Sequence, residues 1–92
     1  MNSDQEAILF RLLDSYSRAH CDSFLAEMFM NSSKTEYNLC FRPTKARSDS
    51  SNLYDCRYLK VSANEASLAS QKGELSQPII QILQRDLLGH GS

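Results

Sequence analysis

Glycine is scarce in this chain of 92 residues: there are three, and two of them fall in the last four positions. No loop can therefore cradle a phosphate through closely approached backbone amides, as nucleotide-binding motifs do. No apolar run exceeds four residues, far short of the roughly 20 that a membrane-spanning helix needs. No sign of charge dominates either. Net charge is −1, which gives no global field toward nucleic acid or anionic lipid. Metal ligands in closely spaced pairs are also missing. Of His20, Cys21, Cys40, Cys56 and His90, only His20 and Cys21 are neighbours, and adjacent helical positions point about 100° apart. No metal and no cofactor is expected. The cysteines are odd in number and not closely spaced, which argues against a disulfide framework. The start, Asn2-Ser3-Asp4-Gln5-Glu6, is acidic where a secretory signal would be basic, so a cytoplasmic location is expected. A cysteine–histidine pair such as Cys21 with His20 lacks a third orienting group and an oxyanion hole. No carboxylate pair stands at a spacing suited to acid–base work, and the chain is not expected to be an enzyme.

The composition is that of a globular protein: 41% hydrophobic and 23% charged residues. The length fits one domain, assigned to 1–89, with a short flexible tail at 90–92. A domain this small buries only about 60–65% of the surface its unfolded chain exposes. Its stability margin is thin, and oligomerisation is a common way to widen it.

The pattern predicts an α+β fold: N-terminal helices, an antiparallel hairpin and a C-terminal helix packed together. The first helix covers about 4–20. Ser3 and Glu6 suit a capping box, and Ile8, Leu9, Leu12, Leu13 and Tyr16 form an apolar stripe at helical spacing. Phe10 lies off its centre and widens it, which implies contact with more than one neighbour. A second helix is expected at 23–31, with Asp22 as N-cap and Phe24, Leu25, Met28 and Phe29 as its apolar face. Asn31-Ser32-Ser33 is a turn. Tyr37, Leu39 and Phe41 then alternate with polar residues, the mark of a half-buried strand that ends at Pro43. Residues 44–52 are expected to be a flexible loop and 53–61 a second strand. In that strand Tyr54, Cys56 and Tyr58 share one face while Leu53, Leu59 and Val61 take the other: either both faces are partly covered, or a bulge near Arg57 switches the facing. Ser62 and Glu65 could open a lightly packed helix at 63–72, closed by Gly73. Ser76 or Gln77 caps a last helix with Pro78 in its first turn, ended by Gly89. Two strands alone make a poor sheet in water. The hairpin must lie on the helices, find a third strand, or extend its sheet across a dimer.

Cys40 and Cys56 are taken as small sheet residues facing a core; pairing in register could bring them close. Charge is more informative. Residues 1–33 hold two basic and five acidic side chains, net −3. Residues 34–60 hold six basic and three acidic, net +3. Opposite charge on two surfaces can orient protein partners, and surplus apolar helical width often marks an interface. The leading expectation is a non-enzymatic protein–protein interaction module: an adaptor, inhibitor or assembly factor, acting as a homodimer or in a complex. Its contact residues are taken as Phe24, Met28, Phe29, Met30, Tyr54 and Tyr58. The alternative is a nucleic-acid-binding regulator that uses Arg42, Lys45, Arg47, Arg57 and Lys60, with tyrosines between the cations to stack on bases.

Overall fold

A computed structural model describes residues 1–44 and 56–88. The first helix, α1, is Ser3–His20. Its capping box uses Asn2 and Gln5 rather than Ser3 and Glu6. The Gln5 N–H donates to Asn2 Oδ1 at 2.9 Å and the Asn2 N–H donates to Gln5 Oε1 at 3.1 Å, so the same reciprocal logic operates one residue earlier. Glu6 is thereby free for another partner, described below. Leu9 and Leu13 are fully buried, whereas Ile8 stands at the surface.

The chain breaks after His20, at Asp22 with φ 50°. It then runs not into a helix but into strand β1, Ser23–Met30. β1 supplies a third strand, one of the three ways in which the hairpin could be completed. It is joined to β2, Glu36–Pro43, by a turn in which Asn31 Oδ1 accepts the N–H groups of Thr35 and Glu36, and Lys34 takes φ 60°. The third strand, β3, is Arg57–Ser62. Residues 53–55 of the expected strand, and 45–52 of the expected loop, lie outside the described residues. The sheet is antiparallel in the order β1-β2-β3.

One face of this sheet carries the core. Leu25, Tyr37, Leu39, Phe41, Leu59 and Val61 point to it and pack with Leu9 and Leu13 of α1. The other contributors are α2 (Ala63–Lys72) and α3 (Gln77–Leu83), the latter continued by a π-helical turn at Gln84–Leu88. Ala66, Ala69, Ile79, Leu83 and Leu87 complete the cluster. Burying a leucine or phenylalanine of this set stabilises the fold by roughly 1.5–3 kcal/mol. α2 had been expected to pack lightly because its apolar residues are small. Ala66 and Ala69 are instead 0% and 1% exposed, since small side chains let a helix lie close. Its caps follow the pattern: Ser62 Oγ accepts the Glu65 N–H, and Gly73 turns the chain at φ 74°, where a Cβ would be strained. The end of the last helix expected at Gly89 lies outside the described residues. A long-range tie holds sheet to helix: the Tyr37 hydroxyl, on the central strand, donates to Glu6 Oε2 at 2.7 Å.

The register places a bulge in β1, and the described pairing of β3 is regular from Arg57 to Ser62. Leu25 pairs with Phe41 and Glu27 with Cys40, so Ala26 is the extra residue. Before the bulge Leu25 points inward. After it, Met28 and Met30 do, opposite Leu39 and Tyr37. Phe24, Glu27 and Phe29 point the other way.

Candidate functional site

The apolar helical surface expected to seek a partner is mostly used internally: Leu9, Leu13, Ile79, Leu83 and Leu87 are all buried. What remains exposed on helices is scattered: Ile8, Leu68 and Leu88. The unsatisfied surface lies instead on the sheet, around β1 and on the face opposite the helices.

β1 is an edge strand. Its first half is already protected. The Leu25 N–H donates to Asp14 Oδ1 at 3.0 Å, and the bulge at Ala26 interrupts the ladder. Its second half, Glu27–Met30, pairs with β2 on one side; among the described residues no strand pairs with the other. Beside this stretch runs a shallow groove between α1 and β1 of about 540 Å³. Ala7, Phe10 and Met28 supply its apolar lining, and Glu6, Arg11 and Asp14 its rim. Phe10 is the residue that widened the helical stripe, so the second neighbour it implied is β1. Ala7 and Arg11 carried no signal of their own in the sequence.

The open face of the sheet gathers residues from both sets of sequence-based candidates. Phe29 is 54% and Tyr58 75% exposed. Phe24 shares this face opposite Arg42, and the Arg18 guanidinium lies 5.3 Å from its ring centroid. Lys60 pairs with Asn38 and Tyr58 with Cys40, so Arg42, Tyr58 and Lys60 are on one surface. Met28 and Met30 do not belong to it. They pack against the core on the helix side, because a strand sends alternate residues to opposite faces. Arg57 pairs with Phe41 and is half-buried at the helix-side end of β3. Tyr54, Lys45 and Arg47 lie outside the described residues.

Beneath Tyr58 and Arg42 sits a pair of thiols. Cys40 is 3% exposed although it faces away from the helical core, and Cys56 is half-buried. The Cys40 thiol interacts with the Cys56 thiol, the Tyr58 hydroxyl and the Arg42 guanidinium. Burial, then the neighbouring Cys56, pushes the Cys40 thiol up from its ordinary value. The charge of Cys56 is the first cause that pushes Arg42 up, and the charges of Cys40 and Cys56 push Tyr58 up. Cys21, the third cysteine, is buried elsewhere and is raised by desolvation and then by Asp22. Among the described residues no three histidine, cysteine or carboxylate side chains converge on a point where a metal ion could sit. No helix there is long and apolar enough to cross a membrane. No family model matches the chain, and neither a curated protein nor a solved structure matches it.

Proposed function

We propose that this chain is a small non-enzymatic protein-interaction module, an adaptor, inhibitor or assembly factor, that receives an extended segment of a partner at the edge of β1. The observation that carries the reading is the edge at Glu27–Met30, which no strand among the described residues pairs, lying beside the groove of Ala7, Phe10 and Met28. Strand addition draws affinity from main-chain hydrogen bonds and specificity from pockets for alternate side chains. Here the partner's inward side chains would enter the groove, and its outward ones would meet Phe29. A second copy of the chain could offer its own β1 to the same edge, which makes a homodimer the simplest self-complementary assembly.

The test is affinity capture from the native host with wild type and Ala7→Arg. Ala7 is solvent-exposed on α1, so arginine there fills the groove without disturbing the core. The reading expects a captured protein whose bound segment is extended, slowed amide exchange at 27–30 in the complex, and at least tenfold weaker binding by Ala7→Arg at unchanged thermal stability. Equal binding by the variant, with β1 exchange unaltered, would overturn it.

A second reading has its own support. Tyr58 stands between Arg42 and Lys60 on an antiparallel face that no described helix covers, with Phe29 on the same face two strands away. Bases of single-stranded nucleic acid stack on such rings at about 1–3 kcal/mol each. Salt separates the two readings. Nucleic-acid binding falls steeply with rising salt and would be weakened by Tyr58→Ala, whereas strand addition in the groove responds to neither.

A further inference from the structure

Cys40 lies on β2 and Cys56 immediately precedes β3, and the two thiols are neighbours. In the β2–β3 ladder Cys40 lies opposite Tyr58, so Cys56, two residues earlier, is its diagonal neighbour on the same face. Diagonal positions are somewhat wider apart than directly opposed ones. A disulfide needs Cα atoms within about 7 Å, so closure requires one partner to yield slightly. Cys56 can do so, because it precedes the first residue of β3 and is not fixed in the ladder. The pair is also asymmetric. Cys40 is buried, whereas Cys56 is partly open to solvent with the Arg42 guanidinium beside it. Partial exposure admits an oxidant to Cys56, and the Arg42 guanidinium beside it can donate to the peroxide oxygen that departs.

We propose that Cys40 and Cys56 are a reversible dithiol–disulfide pair, with Cys56 the peroxide-reactive thiol and Cys40 the resolving one. In the first step the Cys56 thiolate attacks one oxygen of hydrogen peroxide. The O–O bond breaks and hydroxide leaves, giving a sulfenic acid at Cys56. The Cys40 sulfur then attacks the Cys56 sulfur; the S–O bond breaks, and the departing hydroxide takes the Cys40 proton as water. Overall, two thiols and one peroxide give one disulfide and two waters. A dithiol reductant reverses it by thiol–disulfide exchange. The bond would tie residue 56 to the central strand beneath Tyr58 and Arg42, so the open face of the sheet carries the readout. The proposal does not depend on what binds at β1.

The test uses the full chain, reduced, treated with equimolar hydrogen peroxide, alkylated and mapped by peptide mass. The expected product has lost two hydrogens, links the Cys40 and Cys56 peptides within one molecule, and leaves Cys21 alkylated; dithiothreitol restores the starting mass. Cys40→Ser should leave Cys56 as a sulfenic acid trapped by dimedone. Arg42→Ala, at an exposed position, should slow the reaction several-fold while Arg42→Lys keeps part of the rate. The proposal is overturned if Cys40 and Cys56 are recovered separately alkylated, if Cys21 enters the link, or if mixing isotopically light and heavy chains shows the link to join two molecules. Cys56 oxidised to the sulfinic acid in wild type without a link would overturn it equally.

Discussion

Replacing Tyr37 with phenylalanine removes one oxygen from the centre of the molecule. The hydroxyl is the 2.7 Å donor to Glu6 Oε2 on a side chain only 1% exposed, and it joins the central strand to α1. A hydrogen bond to a charged acceptor contributes about 1.5–3 kcal/mol. Glu6 is half-exposed and regains water once the hydroxyl is gone, so the expected loss is at the low end, about 1–2 kcal/mol. For a domain of this size that is roughly 5–15 °C in Tm. The pH dependence is more diagnostic. Burial, then the hydrogen bond and charge of Glu6, raise the Tyr37 pKa above its ordinary 10.0. The neutral phenol is thus favoured in the folded state. Its contribution is fully present below pH 10 and is lost as pH climbs toward the raised folded value. In that window the unfolded chain sheds the proton and the native one keeps it, a slope of up to about 1.4 kcal/mol per pH unit against folding. Cys21 and Cys40 are raised too and act in the same direction from about their ordinary 9.0. The difference between wild type and variant isolates the Tyr37 share. Urea unfolding at pH 7, 9, 10 and 11 should show wild type losing its advantage over Tyr37→Phe in the last two steps. Parallel curves across the whole range would refute the assignment of a buried, Glu6-bound phenol.

Asp14→Ala should cost about 1–3 kcal/mol in urea unfolding, because it orphans the Leu25 N–H. Asp14→Asn keeps an acceptor and should cost far less, and Arg18→Ala, which breaks the exposed 2.9 Å ion pair to Asp14 and the contact with the Phe24 ring, about 1 kcal/mol. Gly73→Ala should destabilise by about 1–2 kcal/mol through left-handed strain alone, since a Cβ there meets nothing within 4 Å; an unchanged Tm would contradict the αL cap. Deleting Ala26 should leave the fold intact by circular dichroism but increase self-association in sedimentation, because it removes the bulge from the sheet's edge; a monomer at all concentrations would count against that role.

Much of the architecture was readable in the chain. Helix 4–20, the strand from Tyr37 to Phe41 and the Ser62 and Gly73 caps follow from periodicity and terminus chemistry, which act locally. The α+β class followed as well, with a third strand as one of three ways to complete the hairpin. The identity of that strand did not. Ser-Phe-Leu-Ala-Glu-Met-Phe-Met is rich in good helix formers, and its apolar residues at 24, 25, 28 and 29 fall at helical spacing. The site was half legible for the same reason. Phe24, Phe29 and Tyr58 were picked out as contact residues and do share a face with Arg42 and Lys60. Met28 and Met30 were grouped with them on a helix that does not exist, and the groove residues Ala7 and Arg11 announce nothing until β1 is placed beside α1.

The bulge explains both the disguise of β1 and the shape of the surface it offers. Without Ala26 the strand would run Leu-Glu-Met-Phe-Met, inward and outward by turns, and its period of two would be plain. The inserted residue shifts the second half by one place, so the inward positions become 25, 28 and 30, and the three-residue step from 25 to 28 is one a helix would also make. That same shift divides the edge. Ahead of it, Asp14 holds the Leu25 N–H and closes the margin to any added strand. Past it, Met28 turns toward the groove and Phe29 toward the open face, so one short stretch presents apolar side chains on both sides of an unpaired ladder. An edge of four residues is too short to template unlimited sheet growth, yet a segment of matching side chains can still pair with it. An insertion that looks like a defect in the strand therefore limits what can bind there, and the sequence hides the strand because that limit is built into its spacing.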